Sequence, residues 1–160
     1  MRYIHILPNY SVQFFDSDGF FHVSYQNEVL KEISSGIART VYGSANCHFV
    51  VKVERRMWTP FAYFQSVREL GIFTKFANTG VFPKVYGSDI HISYDNQTEY
   101  ITTVVIVERI EDCPTKKYSL DTETKALRLA RKYGIGDLHP ENYFVTPEGK
   151  IKIIDAGISW

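Results

Sequence analysis

The sequence predicts an α+β fold: an antiparallel sheet of about five strands with one helix, followed by a smaller part made of one helix and a β-hairpin. Three features carry this expectation. Much of the first half alternates aromatic or branched residues with polar ones, as half-buried strands do. A segment after Thr59-Pro60 instead spaces its apolar residues at close to helical intervals. Two short apolar runs then close the chain around the turn Pro147-Glu148-Gly149.

Taken in order, residues 2–25 read as strands flanking a turn at Asp16-Ser17-Asp18-Gly19. Residues 28–33 and 39–42 read as two strand pieces around Ser34-Ser35-Gly36, and 48–53 as a short apolar strand that carries Lys52. The helical segment is expected over 59–77, with Phe61, Phe64, Val67, Leu70, Ile72 and Phe73 on its apolar face and Pro60 in a first turn that tolerates it. Asn78-Thr79-Gly80 ends it. Residues 85–93 and 100–107 are β-rich and separated by the polar turn Tyr94-Asp95-Asn96-Gln97, so they pair as a hairpin. A helix is expected over 120–132, with Leu127, Leu129 and Ala130 apolar and Gly134 at its exit. Strands at 143–145 and 151–154 complete the chain, which reads as one domain over 1–160 divided at 110/111.

The composition narrows the function classes. Hydrophobic residues make up 44% and aromatic ones 15%, which is the content of an ordered globular body. Eighteen basic residues balance eighteen acidic ones, so no global field favours nucleic acid or an anionic membrane, and neither is expected as a partner. Cys47 and Cys113 lie far apart with no paired spacing, giving no metal or redox signature and fitting a reducing, cytoplasmic setting. No apolar run approaches the roughly 18 residues of a membrane span, and no targeting segment is expected. Asp16-Ser17-Asp18-Gly19 resembles the start of a calcium loop, but the required glutamate spacing fails and a plain turn is the better reading.

The chemistry concentrates in Gly136-Asp137-Leu138-His139-Pro140-Glu141-Asn142 and in Asp155-Ala156-Gly157. A hairpin joins the two segments and returns the chain on itself, so Asn142 at its entrance and Asp155 at its exit come side by side. Both offer hard oxygen donors, which suit Mg²⁺. Asp137, in the same loop as Asn142, can face a hydroxyl nucleophile and accept or orient its proton. The layout is that of phosphotransfer.

Asp137-Leu138-His139-Pro140-Glu141-Asn142 with Ile153-Ile154-Asp155-Ala156-Gly157 resembles the catalytic loop and metal-binding triplet of the protein-kinase-like superfamily. The Leu138-His139-Pro140 centre is closest to aminoglycoside, choline and lipopolysaccharide-sugar kinases. The resemblance implies Asp137 as catalytic base and Asn142 and Asp155 as metal ligands. Upstream, Phe49-Val50-Val51-Lys52 resembles the Val-Ala-Ile-Lys strand, which would place Lys52 on the α- and β-phosphates and make Glu69 its ion-pair partner in preference to Glu54. Phe82-Pro83-Lys84-Val85-Tyr86-Gly87 resembles the passage from the helix into the fourth strand. Val104 to Ile110 resembles the hinge, implying that Val107 is the gatekeeper and that the backbone of Glu108 and Ile110 binds adenine. Gly36, Val41 and Val50 would line the nucleotide, and Phe144 would floor the adenine pocket. His139 is expected to pack beneath the loop without a chemical role.

The resemblance thus implies a protein-kinase-like fold with a five-stranded N-lobe and a reduced C-lobe, ATP and Mg²⁺ as cofactors, and transfer to a hydroxyl of a protein or a small molecule. The departures are specific. Of the Gly-x-Gly-x-x-Gly-x-Val pattern, only Gly36 and Val41 remain. Ile135-Gly136 replaces the usual His-Arg, and Ala156 replaces the common Phe. With no activation loop or later helices expected after Gly157, regulation by loop phosphorylation is not expected. Apolar surface on the 120–132 helix would be uncovered, so a homodimer or a regulatory protein partner is expected. The alternative reading is a nucleotide-binding pseudokinase that regulates a partner.

Overall fold

The computed structural model describes residues 12–17, 20–25, 28–36, 39–62, 64–136 and 138–156. It is an α+β structure containing a five-stranded antiparallel sheet. The chain divides into two compact units, one formed by Met1–Tyr63 with Tyr86–Val107 and the other by Phe64–Val85 with Glu108–Trp160.

In the first unit, β1 (Val12–Ser17), β2 (Phe20–Tyr25) and β3 (Glu28–Val29) form a three-stranded antiparallel meander. The run expected as one strand over 28–33 is divided at Leu30. The Leu30 N–H donates to the Val23 carbonyl at 2.7 Å and its side chain is buried, so one apolar residue anchors the first sheet. The chain then leaves for β4 (Lys31–Ser35) in the larger sheet. That sheet continues with β5 (Arg39–Gly43) and β6 (Phe49–Met57), and the β-rich hairpin enters it later. Period-2 alternation on β6 sends Phe49, Val51 and Val53 into a core shared with Val23, Leu30, Cys47, Val104 and Ile106. Lys52, Glu54 and Arg56 take the opposite face.

The helix expected over 59–77 is shorter. Trp58 is still tied to the sheet through its N–H, which donates to the Glu99 carbonyl, and a turn in which Ala62 N–H donates to the Thr59 carbonyl follows. Helix α1 (Gln65–Lys75) begins only after Phe64, and Phe61, expected on its apolar face, is 94% exposed. A 3-10 turn over Ala77–Thr79 and Gly80 in the left-handed region end the element. Strands β7 (Val85–Asp95) and β8 (Thr98–Glu108) are joined by Asn96 and Gln97, both at positive φ, as a type I′ hairpin turn requires. The larger sheet has the order β4-β5-β6-β8-β7.

The second unit starts with α1. Compared with a division at 110/111, α1 and the segment to Val85 group with the C-terminal part, for reasons visible in the packing. Phe76, just past α1, meets Tyr133 at 4.7 Å between ring centroids, and Phe82 lies 5.5 Å from Phe73 and 5.3 Å from Tyr133. The Ile153 N–H also donates to the Val81 carbonyl at 2.8 Å.

Helix α2 (Pro114–Lys117) is a single turn that the sequence reading did not include. Helix α3 (Leu120–Lys132) matches the expected limits. The Ser119 hydroxyl caps it by accepting the Thr122 N–H at 3.1 Å, with Asp121 and Glu123 in the first turn and Arg131 and Lys132 in the last, where each sign suits the helix dipole. Its buried residues are Ala126 and Ala130, whereas Leu127 lies on the exposed side. Gly134, at φ 69°, ends α3 in a Schellman arrangement. Its N–H donates to Arg131, and the N–H of buried Ile135 donates to Ala130 at 2.8 Å. A 3-10 turn over Pro140–Asn142 then leads into β9 (Tyr143–Val145), which pairs antiparallel with β10 (Ile151–Ile153). Among the described residues, no helix is long and apolar enough to cross a membrane.

Candidate functional site

In the second unit, the β9–β10 hairpin joins the two segments as its connectivity demands. Asn142 is buried at the end of the 3-10 turn, and its carbonyl accepts the N–H groups of Ile154 at 2.9 Å and Asp155 at 3.2 Å. The backbone thereby clamps Asn142 to Asp155 as β10 ends. The Asn142 N–H closes the turn on the His139 carbonyl at 2.9 Å. His139 itself is exposed. Asp137 and Gly157 lie outside the described residues, as do Asp18 and Gly19 of the early turn and residues 1–9.

Glu69, on α1, is fully buried, and its Oε1 accepts the N–H of Ala156 at 3.3 Å. A helix carboxylate is thus fastened to the residue after Asp155, across 87 positions of chain. Asp112 performs a related service at the other end of the hairpin. Its Oδ1 accepts the Val145 N–H at 3.1 Å while Cys113 donates its N–H to the Val145 carbonyl at 2.7 Å. Lys117 is buried beside it, with Nζ 3.9 Å from Asp112 Oδ2, 5.3 Å from the Tyr143 ring centroid and 5.4 Å from that of Phe144. Phe144, the expected pocket floor, is therefore bracketed by a cation. Asp112 and Lys117 were missed in the sequence. The only signal for them was Pro114 opening a turn between an acid and a base five residues apart.

The expected hinge, Val104 to Ile110, returns the chain to this unit at Glu108. Glu108 donates its N–H to the Lys84 carbonyl at 2.8 Å, and its carboxylate accepts the Lys84 N–H at 3.3 Å. Val107, the last residue of the first unit, is buried, and Ile110 is half-buried.

In the first unit, Lys52 is buried on β6 opposite Val41 of β5, and Arg39 stands opposite Glu54. Cross-strand partners share a face, so Arg39, Val41, Val50, Lys52, Glu54 and Arg56 line one side of the sheet. Glu54 is fully buried and accepts from Arg56 Nε at 2.8 Å. Arg39, also buried, occupies the third glycine position of the expected phosphate loop, a role that sequence reading left without comment. Gly36 donates its N–H to the Arg39 carbonyl at 2.8 Å across the β4–β5 turn. Among the described residues, a Cβ added at Gly36 would meet nothing closer than that carbonyl oxygen at 3.9 Å, so they do not require glycine there.

Asn142 and Asp155 supply an amide and a carboxylate oxygen. That donor set fits Mg²⁺, which fills its remaining positions with phosphate and water rather than with an all-protein cage. Among the described residues, no group of three or more His, Cys, Asp or Glu side chains could hold a metal ion. Compared with known proteins, the chain matches no protein-family model and no curated protein sequence.

Proposed function

We propose that the chain is an ATP- and Mg²⁺-dependent phosphotransferase that moves a γ-phosphate to a hydroxyl, in the first place that of a protein Ser, Thr or Tyr. The observation that carries the reading is the clamp of Asn142 to Asp155 by two N–H donors to one carbonyl. It joins the main chain of two residues with hard-oxygen side chains, the first of them five residues after Asp137. Supporting it, Lys52 is buried on the third strand of the larger sheet in chain order, α1 with Glu69 follows, and the fourth and fifth strands lead to Glu108. This is the order that a protein-kinase-like fold requires.

In this reading a bound Mg²⁺, held by Asn142 and Asp155, neutralises charge on the transferring phosphate. Lys52 is the cation for the α- and β-phosphates, and Glu69 is the acid that the resemblance assigns to it. Because the Glu108 N–H already donates to Lys84, that residue offers adenine its carbonyl, and Ile110 offers its N–H. Val41, Val50 and Val107 of the first unit and Phe144 of the second are the residues that the resemblance assigns to the base. Asp137 orients the acceptor hydroxyl and takes up its proton.

A second reading has its own observation: the described residues do not sterically require Gly36, and Arg39 replaces a glycine that would let backbone approach a phosphate. These features favour a nucleotide-binding pseudokinase that regulates a partner. The test is transfer of labelled γ-phosphate from ATP with Mg²⁺, cell lysate as acceptor and Asp155→Ala as control. Label that disappears in the control supports the kinase. ATP binding without transfer favours the second reading, and absence of binding removes both.

A further inference from the structure

We propose that the outer edge of β7 is a homodimerisation surface, on which a second copy of the chain adds its own β7 antiparallel about a two-fold axis at Ile90. This inference does not rest on the phosphotransfer reading.

The two edges of the larger sheet differ in kind. At one edge, β4 is five residues long, has a register shift between Glu32 and Ser34, and carries Lys31 and Glu32. Shortness, irregularity and charge are how natural sheets discourage edge pairing. At the other edge, β7 is 11 residues long and exposes Ile90, Ile92 and Tyr94 by 62%, 51% and 64%. Its only hydrogen-bonded neighbour among the described strands is β8.

The backbone of β7 is available at these same residues. A type I′ turn at Asn96 and Gln97 closes on a hydrogen-bonded pair. Counting back from it in steps of two, the intervening residues Ile90, Ile92 and Tyr94 turn their N–H and C=O groups away from β8. In agreement, the Ile90 N–H donates to Asp89 Oδ1, at 2.8 Å. An added strand would meet alternating donors and acceptors with an apolar stripe on one face, which is the geometry of strand addition.

Charge complementarity selects the occupant and the register. An antiparallel copy centred on Ile90 sets Ile90 against Ile90, Ser88 against Ile92, and Asp89 against His91 on both sides of the axis. The interface is isologous and closes as a dimer. When the Ile90 N–H passes to the opposing Ile90 carbonyl, the Asp89 carboxylate is released to face the opposing His91.

The experiment is light scattering of the full chain over a rising concentration series, with cross-linking to read the register. The wild type is expected to reach the mass of two chains, and Ile90→Lys to remain a monomer with unchanged far-UV circular dichroism and melting temperature. In a Cys113→Ser background, Ile90→Cys faces itself at a hydrogen-bonded pair, where Cα atoms about 5.5 Å apart suit a disulfide. It is expected to cross-link on oxidation several-fold faster than Ile92→Cys, whose opposite residue is Ser88. Asp89→His and His91→Asp should each weaken the dimer, and the double swap should restore it. A wild type that stays monomeric overturns the proposal, including one that takes up an unrelated strand peptide at this edge. So does a dimer indifferent to Ile90→Lys, or equal cross-linking at the two cysteine positions.

Discussion

Each unit buries one glutamate completely, and the hydrogen bonds of the two reach over very different lengths of chain. Glu54, in the first unit, accepts from the Arg56 guanidinium two residues along its own strand and stands opposite Arg39. Glu69, in the second, accepts a neutral main-chain N–H from Ala156, 87 residues away. A buried carboxylate is costly unless hydrogen-bonded or paired, so both arrangements are demanding, but they do different things. The Glu54 bond to Arg56 runs along one strand, with Arg39 across from it on the next. The Glu69 bond spans the second unit and fixes the main chain next to Asp155, so the helix carries information about the hairpin's exit.

The largest expected effect tests this contrast through stability. Glu54→Ala removes the carboxylate to which Arg56 donates, at a position opposite buried Arg39, and should lower unfolding free energy by about 3 kcal/mol, measured by urea denaturation. Glu69→Ala leaves the buried Ala156 N–H without its acceptor and should cost about 2 kcal/mol in the same assay. A Glu69 loss exceeding the Glu54 loss would reverse the comparison. Glu69→Gln sharpens it, because the amide oxygen can still accept the Ala156 N–H. Phosphate transfer should fall on the order of 100-fold through misplacement of the nucleotide, and any loss of unfolding free energy then reports the charge of the carboxylate rather than its bond to Ala156. Transfer by the Glu69→Gln variant at the wild-type rate would leave Glu69 a purely structural residue.

The second unit was the more legible in sequence, and the reason is local. The limits of α3, Gly134 at its exit and the hairpin at Tyr143–Val145 and Ile151–Ile153 all follow from signals within a few residues of the features they specify. The Asn142 and Asp155 juxtaposition follows from hairpin connectivity alone. In the first unit, by contrast, Leu30 and Trp58 are set by hydrogen bonds to Val23 and Glu99, partners that no local window contains. The strand at 28–33 was therefore read as one, and α1 was begun six residues early. Arg39 is missed for the same reason, and Glu54 is weighed only as an alternative partner of Lys52: a charged residue on an alternating strand reads as solvent-facing until the register puts an opposite charge across from it.

A smaller effect tests the most local of these signals. Gly134 has the left-handed conformation that an L side chain adopts only under strain, although a Cβ there would meet nothing within 4 Å. Gly134→Ala should therefore cost about 1 kcal/mol through backbone conformation alone, read by thermal melting. A neutral outcome would mean that the Schellman exit is not what directs the chain from α3 toward Asn142.

The smallest effect belongs to a third glutamate, which completes the contrast with the two buried ones. Glu148 is fully exposed in the β9–β10 turn, and its pKa is held below the usual 4.5, first by its own main-chain N–H, then by the Thr146 hydroxyl, with Lys150 and Lys116 adding to this. A carboxylate whose folded pKa is depressed contributes stability above its unfolded pKa and loses it as pH falls through the folded value. Denaturation at neutral pH and at successive acidic steps should therefore show a slight extra loss below the ordinary glutamate range that Glu148→Gln removes. An acid response unchanged by the substitution would show that the turn is held by its backbone, through the Gly149 N–H to the Thr146 carbonyl and the Thr146 N–H to the Lys150 carbonyl, both at 2.8 Å. The carboxylate would then be incidental to the hairpin that sets Asn142 beside Asp155.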